Sequence, residues 1–259
     1  MSKVVLRLTW ATHKFARYAC EHWHYSRSLP CPPLVIIGVE ENGQAIGVVI
    51  FSRGANKSLY RPYGLKQTEG AELTRVALPD HSSPTSRIVA ISFRMLKRHC
   101  PGLKLVVSFA DPAQGHVGTL YQALGALYVG DTEPSEQFLD ASGKRWHRRM
   151  ISADGWKTVY GRRRRVLTLD QVERLPMPGK HRYLFPLDAE TRQRLLPLSK
   201  PYPRRSSSGS AAPSDQLGEG SATLTDRLHP LATAGATSKT GGVSCRPPTR
   251  RLHGSKSRA

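Results

Sequence analysis

Between Val4 and Ile151 the apolar residues change period repeatedly, from two to about 3.6 and back, and that alternation confines the chain to a mixed α/β architecture. Val4–Thr9 alternates as a strand. Thr12 is placed to cap a helix running to about Trp23, with Phe15, Ala19 and His22 near one face. Leu34–Glu40 and Ala45–Ser52 are apolar runs on either side of Glu41-Asn42-Gly43-Gln44, and Asn-Gly is a strong short-range signal for a hairpin. Ala71–Leu78 reads as a strand. Ser83-Pro84 opens a helix that Ile88, Ile91 and Met95 carry to about His99, where Pro101-Gly102 breaks it. Leu103–Ala110 reads as a strand, Gly115–Leu124 as a helix closed by Gly125, and Leu127–Gly130 as a strand. Gln137–Leu139 and Arg145–Ile151 flank a second turn at Ala141-Ser142-Gly143. The predicted order is β-α-β-β-β-α-β-α-β-β.

Composition then divides the chain. From Arg204 to Ala259 there is no aromatic residue, and Ser, Gly, Ala, Thr and Pro dominate. Such a stretch buries too little apolar surface to offset its ordering entropy. The predicted division is a mixed α/β domain over 1–165, an extension over 166–203 with a short helix near Thr168 and a short strand at Tyr183-Leu184-Phe185, and a disordered basic tail over 204–259. The formal charge is +20, of which the tail carries +6 and the rest +14, so the folded part is itself basic. That balance points to a polyanionic partner, nucleic acid before membrane. The run Arg162–Arg165 reads either as a solvated linker or as a phosphate clamp. No run of about 18 apolar residues is present, the start lacks the pattern of a signal peptide, and Cys20, Cys31, Cys100 and Cys245 have no zinc-like spacing. The expectation is a cytoplasmic protein with reduced thiols and no membrane association.

Candidate chemistry gathers at the ends of the predicted elements. Trp23-His24-Tyr25-Ser26 stands where the first helix stops, so His24 and Tyr25 read either as site groups or as helix-end packing. Phe51-Ser52-Arg53-Gly54-Ala55-Asn56 places Arg53 and Asn56 at a strand end, as a phosphate or carbonyl holder or as a plain turn. In Glu72–Leu78, strict alternation puts Leu73, Arg75 and Ala77 on one face, and a charge inside such a strand is costly unless it is paired or faces a cleft. Pro79–Arg87 feeds a helix N-terminus, where free N–H groups, Ser86 and Arg87 make an anion site, unless Ser83 simply caps the helix. Ser108-Phe109-Ala110-Asp111, followed by Gln114-Gly115-His116, ends a strand, the place where α/β sheets bind ligands. Asp111 reads as a base, a metal ligand or a cap. His24, His81, His116 and Asp111 supply metal-ligand types, although spacing alone joins none of them. There is no P-loop, GxSxG, HExxH or dinucleotide fingerprint.

Two resemblances rest on these words. The element order and Tyr121-Gln122-Ala123-Leu124-Gly125-Ala126-Leu127 resemble the end of a GNAT acyltransferase domain, which implies a mixed central sheet flanked by helices, with Tyr121 as general acid to a departing thiolate. That superfamily has a Gly-rich pyrophosphate loop after its fourth strand, whereas Asp80–Ser86 here contains no glycine. The closer resemblance is to the Mom family of phage DNA-adenine modification proteins, themselves GNAT-like. It rests on Trp23-His24-Tyr25-Ser26, Arg53-Gly54-Ala55-Asn56, Glu72-Leu73-Thr74-Arg75-Val76, Pro84-Thr85-Ser86-Arg87, Ser108-Phe109-Ala110-Asp111 and Gly115-His116 through Tyr121, in that order over roughly residues 20–130. It implies conversion of adenine in double-stranded DNA to the N6-carbamoylmethyl form and protection of phage DNA from restriction.

What the resemblance implies for residues is specific. Asp111 is expected to act as base or metal ligand, Tyr121 as general acid, and Arg75 as anchor for an anionic donor or oxyanion. His24 and Tyr25 are expected to contact adenine or an iron ion. Arg53, Asn56, Ser86, Arg87, Ser108 and His116 are expected to hold substrate or DNA. The implied partners are double-stranded DNA and a small-molecule donor, for which an acyl-CoA-like compound is one expectation. Attack of adenine N6 on an acyl thioester yields an acyl amide, not a nitrogen bonded to CH₂, so the implied product needs an unusual donor, a second step or a metal. Because N6 is paired in the duplex, the base must be flipped, with Tyr25, Tyr60, Tyr63 or Phe109 available to stack. The competing readings are a GNAT acetyltransferase acting on a protein or RNA amine, and a basic DNA-binding protein without chemistry.

Overall fold

Thr12 caps the first helix as its position predicts: its hydroxyl accepts the Phe15 N–H at 3.2 Å. In this computed structural model residues 4–54, 56–146, 148–159 and 161–204 are described; the predicted tail beyond Arg204 and Cys245 within it lie outside them. β1 (Leu6–Trp10) leads into α1 (His13–Trp23), followed by the hairpin β2 (Leu34–Glu41) and β3 (Gln44–Ser52). Asn42 and Gly43 have φ of 51° and 82°, the mirror-image turn whose twist matches paired strands. Then come β4 (Gly70–Ala77), α2 (Thr85–His99), β5 (Leu105–Ala110), α3 (Thr119–Ala123) and β6 (Leu127–Asp131). The chain continues through β7 (Ser135–Asp140), β8 (Arg145–Trp146), β9 (Trp156–Val159), β10 (Arg162–Arg165) and β11 (Val172–Met177), and ends with β12 (His181–Pro186) and α4 (Ala189–Leu195).

Seven strands form one mixed sheet in the order β1-β2-β3-β4-β5-β12-β6, antiparallel throughout except between β4 and β5. α1 packs Ala16, Ala19 and Cys20 onto Ile36, Val48, Ile50 and Ala77. The buried stripe of α1 is therefore turned from the one predicted, and His22 is exposed. Tyr60, Tyr63 and Leu195 cover Leu105, Val107 and Leu184 further along the same face. On the other face α2 lays Ile88, Val89 and Leu96 against Val49, Phe51, Leu73 and Val106. Helices thus flank both sides of the sheet, as the α/β reading expects.

Three departures from the sequence reading shape the site. First, β4 carries a bulge: Ile50 pairs with Arg75 and Phe51 with Leu73, so Thr74 is the extra residue, and its hydroxyl donates to the Ile50 carbonyl at 3.0 Å. The bulge breaks the alternation, and Arg75 and Leu73 face opposite sides of the sheet. Second, the helix predicted from Gly115 begins only at Thr119, because Gly115 (φ 72°) and Gly118 (φ 79°) hold the left-handed conformation that stops a helix. Third, residues 166–203, set apart as an extension, supply β12, which lies between β5 and β6 in the main sheet. Its Tyr183, Leu184 and Phe185 are all buried, as a strand covered on both faces requires, and so short an apolar run carries no alternation by which to recognise it.

Between β6 and β12 the chain builds two smaller sheets, β11-β7-β8 and β9-β10. The turn predicted at Ala141-Ser142-Gly143 joins β7 to β8, with Asp140 Oδ1 accepting the Ser142 and Lys144 N–H groups. Among the described residues Cys20, Cys31 and Cys100 form no disulfide, and no helix is long and apolar enough to cross a membrane.

Candidate active site

β4 and β5 pair at only three positions, Gly70–Glu72 with Leu105–Val107. Beyond Glu72 the two parallel strands part, and a cavity of about 350 Å³ opens between them. That is the lower end of the volume that binds small molecules. Seven of the predicted site residues line it: His24 and Tyr25 after α1, Arg75 on β4, Ser86 at the start of α2, Asp111 and His116 after β5, and Tyr121 on α3. The bulge at Thr74 turns Arg75 toward the end of α1, where its Nε donates to the Ser28 carbonyl at 3.3 Å and its Nη1 to the Thr74 carbonyl at 2.7 Å. Both contacts are to backbone carbonyls, with no carboxylate among them.

His24 is 7% exposed. Its Nδ1 accepts the Ser26 N–H at 3.1 Å and lies 2.8 Å from the Ser26 hydroxyl. The neutral ring therefore carries its proton on Nε2. Burial, the nearby Arg75 charge and then His116 drive its pKa down to about 3. The Tyr25 ring stacks on His24 with centroids 4.3 Å apart and stands 5.7 Å from His116, so the three rings make one aromatic wall. Burial also pushes the Tyr25 phenol up, against a smaller opposing pull from Lys180.

Across the cavity, Asp111 caps the short turn after β5 through the Ala113 N–H and pairs with Lys180 at 3.1 Å. Asp111 is thus a cap, as one of its readings has it, and it also lines the cavity. Tyr121 is hydrogen-bonded to Ser108, and burial pushes its phenol up to about 12. Ser108, fully buried, donates its own proton to the Leu73 carbonyl at 3.0 Å and so ties β5 to β4 just where they part.

Other predicted residues lie elsewhere. Arg53 and Asn56 are exposed and shape the turn after β3: the Arg53 carbonyl accepts the Tyr60 hydroxyl, and Asn56 Oδ1 accepts the Ser58 N–H. Arg87 is exposed on the first turn of α2 and does not line the cavity. Tyr60 and Tyr63 are core residues, which leaves Tyr25 and Phe109 as the available stacking rings. Ser83 does not cap α2; its N–H and that of Ser82 donate to the Glu41 carboxylate at 2.5 and 3.0 Å. The anion site predicted there is half filled by the protein's own carboxylate, leaving Thr85 and Ser86 at the cavity. His81 is spent on the Pro79 carbonyl and the Thr85 hydroxyl.

The residues present do not fit the expected iron. Among the described residues no three His, Cys, Asp or Glu side chains come together to hold a metal. Binding through His24 Nε2 would move the ring proton to Nδ1, against the Ser26 N–H. The residue missed from the sequence is Lys180, in the segment set apart as an extension; a Pro-Gly-Lys turn ahead of a short apolar run is the only signal it leaves.

A mixed seven-stranded sheet whose parallel pair parts over a polar, cation-bearing cavity defines a small-molecule-sized site on an α/β scaffold. The chain belongs to the Mom protein family, whose model matches residues 5–204. A relative from Escherichia phage Mu, methylcarbamoylase mom, is 27% identical over 199 residues, spanning 73% of this chain and 80% of that protein. In shape the chain is similar to FeeM, an N-acyl amino acid synthase from uncultured soil microbes (13% identity, 75% of this chain, 96% of that one, TM-score 0.40). It is also similar to an N-acetyltransferase from Staphylococcus aureus Mu50 (8% identity, 71% and 98%, TM-score 0.37).

Proposed function

We propose that this protein is a phage DNA-modifying transferase that converts adenine in double-stranded DNA to its N6-carbamoylmethyl form and so shields the DNA from restriction. The observation that carries the reading is the convergence of Arg75, Asp111, Tyr121, His24 and Tyr25 on one cavity of about 350 Å³, in a member of the Mom family. The relative's name, methylcarbamoylase, denotes a group of the same atomic composition and so supports transfer of a small amide-bearing group, with the connectivity part of the proposal.

The product fixes the bond changes. N6 gains a bond to a CH₂ and loses one proton, while the donor's leaving group departs with the electron pair. A donor with an electrophilic α-carbon meets this directly; in the alternative route a glycinamide-like amine forms a new bond to C6 through its nitrogen, and the original exocyclic nitrogen leaves as ammonia. The amides that a pyrophosphate loop would present, those of Ser82 and Ser83, are held by Glu41, so an acyl-CoA-like donor has only the Thr85-Ser86 turn and Arg75 for its anionic part.

In this reading the flipped adenine lies along the His24–Tyr25–His116 wall, with half-exposed Tyr25 at the mouth. Neutral His24 offers Nε2–H as a hydrogen-bond donor and is too weak a base to take a proton. Asp111, paired with Lys180, is the acceptor for the N6 proton. With its phenol pushed up to about 12, Tyr121 keeps its one proton and, by turning it from Ser108 toward the substrate, stabilises developing negative charge by hydrogen bonding. Arg75 holds the donor's carbonyl or anionic oxygen.

The test is nucleoside mass spectrometry of total DNA from a bacterial host expressing the chain. A deoxyadenosine heavier by a carbamoylmethyl group is expected. An acetyl gain, or unmodified DNA from a well-expressed protein, contradicts the proposal.

A further inference from the structure

Residues 132–180 leave the main sheet after β6 and return just before β12, at the end of the sheet where the cavity opens; Lys180, the last of them, lines that cavity. Within this excursion residues 141–167 hold nine Lys or Arg and one acidic residue. The charge is concentrated on the β9–β10 ribbon. Antiparallel pairing of Arg163 with Thr158 and Arg165 with Trp156 puts these side chains on one face. Arg164 pairs with Lys157, which puts Arg162, Arg164 and Lys157 on the other. All four arginines are exposed, and among the described residues none forms an ion pair. The Arg163 guanidinium lies 4.9 Å from the centre of the Trp156 ring, which is itself 42% exposed.

Four consecutive cations with a single carboxylate near them, Asp154 beside Arg163, keep a net positive charge and repel one another, and an external polyanion is their complement. Their distribution narrows the choice. A flat anionic surface meets one face of a ribbon, whereas a groove walled by phosphates on both sides meets two. The major groove of duplex DNA admits a two-stranded ribbon and displays adenine N6 on its floor. We infer that the β9–β10 ribbon docks in the major groove beside the target adenine, with the arginines of its two faces against the phosphates of the two strands. The inference rests on the DNA-modification reading and gives its substrate a docking surface.

The full chain is compared with two variants, one with Arg162, Arg163, Arg164 and Arg165 all changed to Ser and one with all four changed to Lys. Binding to a short fluorescent duplex, and to one of its single strands, is measured across a salt series; circular dichroism and melting check that the fold is retained. Each neutralised phosphate adds about 0.9 to the slope of log affinity against log salt. The Ser variant is expected to lose about 3 to 4 of that slope on duplex DNA, together with the wild-type preference for duplex over single strand. The Lys variant is expected to keep the wild-type slope. An unchanged duplex slope in the Ser variant, or an equal loss on both DNA forms, overturns the ribbon's role. The proposed reaction is judged separately, by whether the unaltered chain modifies host DNA, so the two ideas fail independently.

Discussion

At the scale of single residues, the site depends on groups kept in one protonation state by burial. His24 has a folded pKa near 3 against an ordinary value near 6.5, so an unfolded chain binds a proton that the folded one refuses. The stability this confers is complete above about pH 6.5 and is lost as pH falls toward 3. Between pH 7 and 5 the loss is about 2 kcal/mol from this residue alone. Urea melts at both pH values should show it, and His24→Gln should flatten that dependence; an equally steep fall in the variant would assign the effect elsewhere. Tyr121 is expected to stay protonated through pH 9, so any alkaline loss of activity near neutrality belongs to another group. Tyr121→Phe should cut modification at least tenfold while costing about 1 kcal/mol of stability, the worth of its bond to Ser108. That Arg75 and Asp111 line the cavity was legible because a charge inside a strand or at its end stands out against an apolar pattern, and Tyr121 was picked out by the family resemblance. Lys180 was not, because nothing local distinguishes it from a surface lysine; its place is set by the pairing of β12 with β5, 71 residues of chain after Phe109.

At the scale of elements, local signals that act within a few residues were readable and those needing a distant partner were not. The Asn42-Gly43 turn, the Thr12 cap and the Asp140 turn all follow from the conformations and donors of three or four neighbours. The bulge at Thr74 depends on the Ile50 carbonyl 24 residues away, and it decides which way Arg75 points. The late start of α3 depends on Gly118, where an added Cβ would lie 2.5 Å from the Tyr183 ring and in a left-handed backbone. Gly118→Ala is therefore expected to destabilise by about 2–4 kcal/mol and to displace Tyr121, lowering activity with it. A thermal melt unchanged from wild type would contradict the packing described. Glu41→Gln leaves the Ser82 and Ser83 amides with a weaker acceptor, for an expected cost of about 1–2 kcal/mol.

At the scale of the whole molecule, β12 makes residues 166–203 structural. A chain ending at 165 lacks the strand between β5 and β6 and leaves Leu105, Val106, Val107 and Leu127 without their neighbours. It is expected to be insoluble or unfolded by circular dichroism, while a chain ending at 204 melts in one cooperative transition; a folded 1–165 fragment would contradict the sheet order. The basic charge was legible from composition, but its placement was not. It became readable only when β6 and β12 proved to be neighbours, so that everything between them projects from the cavity's end of the sheet.

The central claim is that the cavity between β4 and β5 performs the modification. The most direct measurement is the deoxynucleoside mass profile of host DNA after expression of the wild-type chain, Asp111→Asn and Arg75→Ala at matched soluble levels. Carbamoylmethyl-deoxyadenosine is expected from the wild type and at least a hundredfold less from either variant. Equal yields of modified base from all three proteins would place the chemistry outside this cavity.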